Sequence, residues 1–170
     1  MGTTHVPAVK RQAMAAYDPR AIHGMGVTYA TSTMGADHTA GVMVHQNLEG
    51  ELYPHKAEGQ GDTCREVQIR LAPMDCAGVC LLANRPVFLD PDASQGLLEM
   101  MSAKYGVSYT LDDFFALGKK VLRTERHLNF AAEMTKADDR LPEFFMEEKI
   151  PSHNITFTVS DDALDRLFEF

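Results

Sequence analysis

The sequence predicts a mostly α-helical, multihelical domain with at most one or two short strands, and two kinds of pattern carry this prediction. Apolar residues recur at helical spacing in several segments, and residues that cap helices precede those segments. Only one short segment alternates between apolar and polar residues as a strand does. The chain has 170 residues, of which 45% are hydrophobic and 24% charged, as in an ordinary globular domain. We therefore expect one helical domain over residues 1–170, with residues 1–15 as an extended N-terminal arm.

The first predicted helix begins near Asp62, where Thr63 and Glu66 have the spacing of a capping box. Pro73 is expected to kink or interrupt this helix because a proline has no N–H to donate to the preceding turn. An apolar stretch over residues 77–83 resumes immediately afterwards.

Two further helices follow with clearer boundaries. The second begins at residues 92–94 and is expected to stop at Gly106, since glycine readily adopts the left-handed conformation that ends a helix. The third and longest covers residues 111–134, where Thr110 can cap the first turn and Asp113 has the position of its capping-box partner.

The remaining segments are shorter. A last helix is expected to begin at Ser160 and continue over residues 163–170. Residues 155–159 alternate and are rich in β-branched side chains, which predicts one short strand. Residues 50–61 and 85–90 contain glycine, proline and charged residues, so we expect both to be loops.

Charge and composition exclude several classes of function. The chain carries 16 Lys and Arg against 24 Asp and Glu, and its net charge of −8 argues against a nucleic-acid partner. It contains neither an apolar run of membrane-spanning length nor the pattern of a signal peptide, so we expect no membrane contact and a cytoplasmic location. Three cysteines are too few for a disulfide framework.

The hexapeptide Asp75-Cys76-Ala77-Gly78-Val79-Cys80 is the first candidate site. If it is helical, Cys76 and Cys80 lie on one face and two thiolates can share a metal. A complete zinc site needs four ligands, and only Cys64 and the seven histidines remain to supply them. A zinc domain built from these two cysteines and a histidine is therefore a distant alternative, and small buried thiols are the favoured one.

A second candidate is the run of small residues between Tyr17 and His38. Gly24 and Gly26 allow close approach of another backbone, and hydroxyl groups at residues 31–33 precede a further glycine. Such a run can cradle an anionic cofactor, or it can permit a close contact between helices. The spacing matches no phosphate-binding fingerprint, so the residues alone favour the helix contact.

Taken together and in order, these motifs resemble the C-terminal part of the tungsten-containing aldehyde ferredoxin oxidoreductases. The hexapeptide is similar to that family's Asp-x-x-Gly-Leu-Cys motif, with Val79 in place of leucine. The resemblance covers residues 10–168, and its other elements are the segments 17–20, 24–26 and 29–32, Gly35, His38, residues 125–126, Asn129 and residues 138–142.

The resemblance implies a role for each matching residue. Asp75 takes the place of the aspartate that binds the amino edge of one pterin in a bis-pterin tungsten or molybdenum cofactor, with Gly78 and Val79 beside the ring. Cys80 corresponds to the fourth ligand of a 4Fe-4S cluster. His38 corresponds to a histidine of the active-site wall that donates a hydrogen bond or carries protons. The implied reaction oxidises an aldehyde and passes electrons to ferredoxin.

The sequence also departs from the family pattern. Met34, Asp37 and Ala131 replace residues common in the family, so the substrate can differ. The three other cluster cysteines, the N-terminal domain and the motif for the second pterin are absent from these residues. We therefore expect a part of a larger enzyme, whose partners are its remaining domains. By itself the chain is expected to bind no cofactor, to be inactive and to expose surface that favours self-association. The alternative is a stand-alone helical module that binds a partner protein.

One carboxylate stands on the apolar stripe of the longest predicted helix. Glu125 needs a partner at that position, and Arg123, Arg126 or a backbone N–H can supply it. We expect a structural ion pair rather than a catalytic acid.

Overall fold

Helices make up nearly all of the regular structure that the computed structural model describes, which covers residues 5–170. The mostly α-helical fold class is therefore confirmed. The helices are α1 (His23–Thr31), α2 (Val44–Leu48), α3 (Gln60–Ala77), α4 (Asn84–Leu89), α5 (Pro91–Tyr105), α6 (Leu111–Ala131), α7 (Phe144–Glu147) and α8 (Asp161–Asp165). Short 3-10 turns cover Leu81–Ala83 and Lys136–Asp138.

A two-stranded antiparallel hairpin precedes the helices. Strand β1 (Ala8–Val9) pairs with β2 (Gln12–Ala13), and the two residues between them, Lys10 and Arg11, have positive φ angles of 48° and 66°. The predicted N-terminal arm includes residues 1–4, which lie outside the described residues. Its other residues contain this hairpin.

The longest helices, α3 and α6, pack closely against each other. Pro73 lies inside α3 and cannot donate to the carbonyl of Ile69, four residues earlier. Gly118 of α6 lies directly against that carbonyl oxygen, so that a Cβ at position 118 would overlap it. The glycine lets α6 approach the one carbonyl that the proline leaves without its helical partner. The predicted interruption at Pro73 is thus wrong, because α3 continues as one element to Ala77.

Helix α1 is buried at every one of its residues. A Cβ at Gly24 would lie 2.6 Å from Asn47 Oδ1, and a Cβ at Gly26 would overlap the ring of Phe157. The two glycines therefore serve close packing, as the residues alone favoured, and the backbone N–H of Gly24 donates to Asn47 Oδ1 at 3.2 Å.

The boundaries of α5, α6 and α8 follow the capping signals. The capping box expected at Thr63 and Glu66 is wrong, because α3 begins earlier, at Gln60, after Gly59 in the left-handed conformation. Thr110 and Asp113 form the predicted capping box of α6, and Gly106 ends α5 in the left-handed conformation with a φ of 69°. Asp90 caps α5 by accepting from the backbone of Asp92. Ser160 caps α8 as predicted, although that helix ends earlier than expected, at Asp165.

Two expectations about local structure are wrong. The segment predicted as a loop over residues 85–90 forms most of α4, where Pro86 lies in the first turn and Phe88 stacks against Phe115. The segment predicted as a strand over residues 155–159 is extended but forms only an isolated bridge, between Ile150 and Ile155. Its alternation directs Phe157 and Val159 into the core without a neighbouring strand.

Within residues 5–170, we find no helix with the length and hydropathy required to cross a membrane.

Candidate functional site

The hexapeptide 75–80 lies at the end of α3 and not within one helix. Gly78 ends α3 in the left-handed conformation with a φ of 71°, and its N–H donates to the carbonyl of Asp75. Cys76 is therefore in the last helical turn, whereas Cys80 begins the following 3-10 turn. The condition for a shared helical face is therefore not met, because the glycine redirects the chain between the two cysteines. Both thiols are exposed, so the expectation of small buried thiols is wrong for Cys76 and Cys80.

The predicted cofactor residues lie on the surface of the domain. Asp75, Gly78 and Cys80 are exposed, and Val79 is half-buried against the core. Asp75 makes no side-chain hydrogen bond within the described part of the chain. Its carboxylate is therefore available to a ligand from outside.

A cleft of about 320 Å³ opens beside Asp75, between α3, α6 and the loop that follows α1. The described residues around it offer hydroxyl, carboxylate, thiol and amide groups together with a small apolar wall, and none is Lys, Arg or His. They are Ser32, Thr33, Met34, Asp37, Ala40, Gln68, Ala72, Asp75, Cys76, Val121, Leu122 and Glu125. A ligand in this cleft meets hydrogen-bond acceptors and no positive side chain.

Desolvation and neighbouring acidic groups raise the pKa values of two residues that line the cleft. Desolvation, and then the nearby charge of Asp37, raises the pKa of Asp75. Desolvation also raises the pKa of Cys76, with further contributions from Glu125 and Asp75. Each group therefore favours its neutral form more than it would in water, and a positive or N–H-donating ligand would reverse that preference.

Glu125 has a different partner from the one expected. Its Oε2 accepts a hydrogen bond of 2.7 Å from Thr33 Oγ1, on the opposite wall of the cleft. Arg126 instead forms a two-contact ion pair with Asp139, at 3.0 and 2.6 Å. Arg126, one of the partners expected for Glu125, is therefore paired with Asp139 instead. Glu125 faces the cleft.

A buried ionic network lies behind the Thr33 wall. The Nζ of Lys10 lies 2.5 Å from Asp139 and donates to the carbonyls of Ala30 and Ser32 at 2.7 and 3.0 Å. The side chains of Lys10 and Asp139 are only 1% and 5% exposed. We call Lys10, Arg126 and Asp139 the buried network. The hairpin thus reaches into the site, and the sequence patterns gave no signal for Lys10.

Two more side chains hold the same wall. Asn129 was named only as an element of the family resemblance and without a role, and Gln68 was missed. Asn129 of α6 donates to the carbonyl of Thr33 at 3.0 Å. Gln68 of α3 donates to Thr31 Oγ1 at 2.9 Å, but its carbonyl oxygen is buried and has no partner among the described residues. The polar residues in the middle of the two packed helices were the signal that could have identified them.

His38 lies next to the cleft and not among the residues that line it. Its side chain is 42% exposed, and its Nδ1 is 4.0 Å from Asp37 Oδ1. The ring of Tyr17 lies 6.0 Å from its own, centroid to centroid. The structure therefore brings Asp75 to the cleft and His38 to its margin.

A second cleft of about 320 Å³ flanks the other side of Asp75, between the end of α3 and α5. Gly78 and Val79 line it together with Met100 and Tyr105, and Cys80 follows directly in the chain. The five predicted site residues therefore divide between two sides of the end of α3.

The described residues do not form a complete metal site. No three His, Cys, Asp or Glu side chains in residues 5–170 are placed to hold an ion together. Cys64 is fully buried beside Thr28 and Gln68, and burial raises the pKa of its thiol to about 11. The zinc domain considered from the sequence is therefore not formed by these residues.

Comparison with known proteins identifies relatives over nearly the whole chain. A family model described as "Aldehyde ferredoxin oxidoreductase, domains 2 & 3" matches residues 2–170. The tungsten-containing aldehyde ferredoxin oxidoreductase of Pyrococcus horikoshii is 29% identical over 157 residues, which cover 88% of this chain and 25% of that protein. The protein of the same name from Pyrococcus furiosus is 29% identical over 150 residues, covering 84% of this chain and 24% of the relative. The one from Thermococcus kodakarensis is 29% identical over 151 residues, with coverages of 85% and 24%. The chain thus spans about a quarter of the length of these relatives.

Proposed function

The chain belongs to the aldehyde ferredoxin oxidoreductase family, and from this premise we propose that it is the C-terminal part of a tungsten-pterin, iron–sulfur oxidoreductase. The proposed reaction converts an aldehyde and water into a carboxylate, three protons and two electrons. When bound, a 4Fe-4S cluster would supply one-electron transfer, and two molecules of ferredoxin would be the electron acceptors. The single observation that supports this proposal most is Asp75, which is exposed beside a cleft lined by acceptors and makes no side-chain hydrogen bond within residues 5–170.

The residues of the cleft fit one edge of a pterin. The amino edge of that ring presents several N–H groups, and a carboxylate accepts from two of them at once. Asp75 would hold this edge, with Gly78 and Val79 beside the ring. When bound, the tungsten cofactor supplies the two-electron redox chemistry, and the protein supplies position and electrostatics.

Cys80 would contribute one ligand to the cluster. Its thiol is free and exposed on the turn after Gly78, as a ligand to an external group must be. A 4Fe-4S cluster is held by four thiolates, so three ligands would have to come from outside residues 5–170, because Cys64 is buried and Cys76 lines the acidic cleft. The chain therefore holds part of each site and needs the remaining domains to complete it.

His38 is proposed as the catalytic group for proton exchange. Its exposed ring stands at the margin of the cleft, and its Nδ1 lies 4.0 Å from Asp37 Oδ1. In this role the other ring nitrogen, Nε2, takes a proton released when the hydrated aldehyde is oxidised and passes it to solvent.

The remaining domains of the same enzyme are the proposed partners. Large apolar side chains are exposed in the second cleft, with Met100 at 65% and Tyr105 at 54%, and on the 3-10 turn after α3, with Leu82 at 86%. A covering domain would remove them from water, whereas the chain alone would bring them together by self-association. Without the other domains the chain is proposed to be inactive.

Purification of the natural protein from its source tests the proposal. Tungsten or molybdenum and iron are measured with the intact mass and with aldehyde-dependent reduction of ferredoxin, beside the chain produced alone. We expect a larger polypeptide or complex with metals and activity, and a metal-free, inactive chain. A natural protein of this length with neither metal nor activity, but with a bound protein, would favour the stand-alone module instead. Stoichiometric tungsten and iron in the chain produced alone would show that its own residues are sufficient.

A further inference from the structure

We propose that Glu125 is a second anchor for the N–H-bearing ring, facing Asp75 across the cleft, and that Thr33 fixes its carboxylate in advance. The inference rests on the proposed function, since the ring is taken to be a pterin. It assigns to α6 a binding residue that the motif of α3 does not contain.

The two carboxylates belong to different walls. Asp75 is in the last turn of α3, and Glu125 is on the adjacent face of α6, with Ala72, Val121 and Leu122 among the apolar residues between them. A flat ring can lie on this apolar surface with its amino edge toward both carboxylates. Asp75 would accept from the ring N–H and one amino hydrogen, and Glu125 from the other amino hydrogen. The volume of about 320 Å³ lies at the lower end of the range for small-molecule sites, and suits one bicyclic ring better than an extended ligand.

Of the three carboxylates that line the cleft, two retain an oxygen that accepts from no described residue. Asp37 is already engaged, since its two oxygens accept from the backbone N–H and the hydroxyl of Thr39 at 3.1 and 2.7 Å. Glu125 uses one oxygen on Thr33, and its other oxygen accepts from no described residue. Asp75 and Glu125 are therefore the acceptors that a ligand can engage.

A buried polar group without a partner supports the presence of a ligand. Gln68 is 1% exposed and lines the cleft, yet its carbonyl oxygen accepts from no described residue. An unsatisfied buried acceptor costs about 1–3 kcal/mol, so native structures seldom leave one without a donor. A donor entering the cleft, directly or through a water molecule, would satisfy it.

The position of Glu125 is fixed before any ligand arrives. Its partner Thr33 is held through its backbone carbonyl by Asn129, and the preceding carbonyl, of Ser32, is held by Lys10. An acceptor that is already oriented loses little freedom on binding, so this arrangement favours affinity. A residue with a purely structural role would need no acidic cleft in front of it.

Titration of the chain with pterin, followed by the fluorescence of the pterin, tests the assignment. Lumazine is the matched ligand because a carbonyl replaces the amino group of pterin and removes donors from the same edge. The wild-type chain is expected to bind pterin saturably and lumazine at least about tenfold more weakly, since carbonyls would then face carboxylates. Equal binding of the two ligands, or no saturable binding of pterin, would overturn the inference.

Single substitutions distinguish the contribution of Glu125 to pterin binding from that of Asp75. Glu125→Gln is expected to weaken pterin binding about tenfold or more, because a charge-assisted hydrogen bond is lost, and Thr33→Val several-fold, because the carboxylate is released. Glu66→Gln, the same exchange on an exposed part of α3 away from the cleft, should leave binding unchanged. Thermal unfolding of each variant reports whether it folds, and Thr33→Val provides the test if Glu125→Gln does not.

The outcomes distinguish this inference from the proposed function. If Asp75→Asn weakens binding and Glu125→Gln does not, Glu125 is no anchor and the role of Asp75 stands. If Glu125→Gln weakens binding and Asp75→Asn does not, Glu125 is an anchor and the role of Asp75 in the proposed function falls.

Discussion

The regions on the two sides of Thr33 differ in their exposure to solvent and in the contacts that they make within the chain. Behind it, the buried network places Lys10 and Arg126 in contact with the same carboxylate, Asp139, almost without solvent. Beyond the cleft, the end of α3 and the 3-10 turn that follows it expose Asp75, Cys80 and Leu82 to water. We call this second region, residues 75–82 with Met100 and Tyr105, the exposed face.

The difference shows which part of the site this chain determines by itself. The buried network and the α3–α6 contact fix the positions of Thr33 and Glu125 through interactions within residues 5–170. The groups of the exposed face make few such interactions, so their arrangement depends on what covers them. Substitutions in the first region should therefore change stability, and substitutions in the second should change association.

The largest effect is expected at the contact between α3 and α6. Gly118→Ala places a Cβ against the backbone carbonyl of Ile69, which cannot move as a flexible side chain can. We expect a loss of about 3 kcal/mol or more in the free energy of unfolding, at the upper end for overpacking. Chemical denaturation measures it.

Gly96→Ala is the matched control for that experiment. Gly96 lies inside α5, and a Cβ there would meet nothing within 4 Å. The exchange should stabilise the protein by up to about 1 kcal/mol through helix propensity. Equal effects at positions 96 and 118 would show that the close contact of the two long helices has no special energetic weight.

Acid is expected to lower the stability of the protein through His23. Its Nε2 accepts from the backbone N–H of Thr158 at 3.3 Å, so a proton on that nitrogen would oppose a donor, and burial lowers the pKa to about 4. Between pH 6.5 and pH 4 the unfolded chain then binds more protons than the folded one, and stability falls as the pH falls. The contribution of this residue reaches about 3 kcal/mol at the acid end.

His23→Gln isolates the contribution of this histidine. The variant is expected to be less stable at neutral pH, since it loses the packing of the ring on Phe157, but its stability should change less between pH 6.5 and pH 4. Denaturant unfolding at several pH values gives the change of the free energy of unfolding with pH for the wild type and for the variant. An unchanged slope in the variant would assign the acid sensitivity to other groups.

The sequence predicted four of the eight described helices, α3, α5, α6 and α8, and it located three of them by capping, which is a local signal. Thr110 and Asp113, Gly106 and Ser160 mark helix ends by hydrogen bonds and backbone angles within a few residues. Helix α4 was missed because its stability comes from Phe88 packing on α6, which no local pattern reports.

The site was predictable only in part, for a related reason. The motif ending at Cys80 identified the exposed face, since its residues are consecutive in the chain. The Thr33–Glu125 pair spans 92 positions, and the Lys10–Asp139 pair links the hairpin to the segment after α6. Such pairs depend on the tertiary fold, and the charge of Glu125 alone suggested a neighbouring arginine.

A smaller loss of stability is expected when Lys10 is removed from the buried network. Lys10→Met leaves the carbonyls of Ala30 and Ser32 without that donor, while Asp139 keeps its two contacts with Arg126. We expect a loss of about 2 kcal/mol, less than for an ion pair with one partner deleted outright. Lys104→Met, on the exposed C-terminal turn of α5, should change stability by less than about 0.5 kcal/mol. Equal effects of the two exchanges would remove the energetic distinction between the regions.

The smallest change in stability, and the largest in association, is expected on the exposed face. Leu82→Ser should alter the free energy of unfolding by less than about 0.5 kcal/mol, because the side chain is already 86% exposed. If the exposed face mediates self-association, light scattering should detect oligomers of the wild-type chain that Leu82→Ser reduces, and Leu48→Ser, at a residue 65% exposed on α2, should not. A wild-type chain that stays monomeric at high concentration would mean that this apolar surface is too small or too divided to need a cover. Of the two regions, only the buried network would then have an arrangement that its own contacts explain.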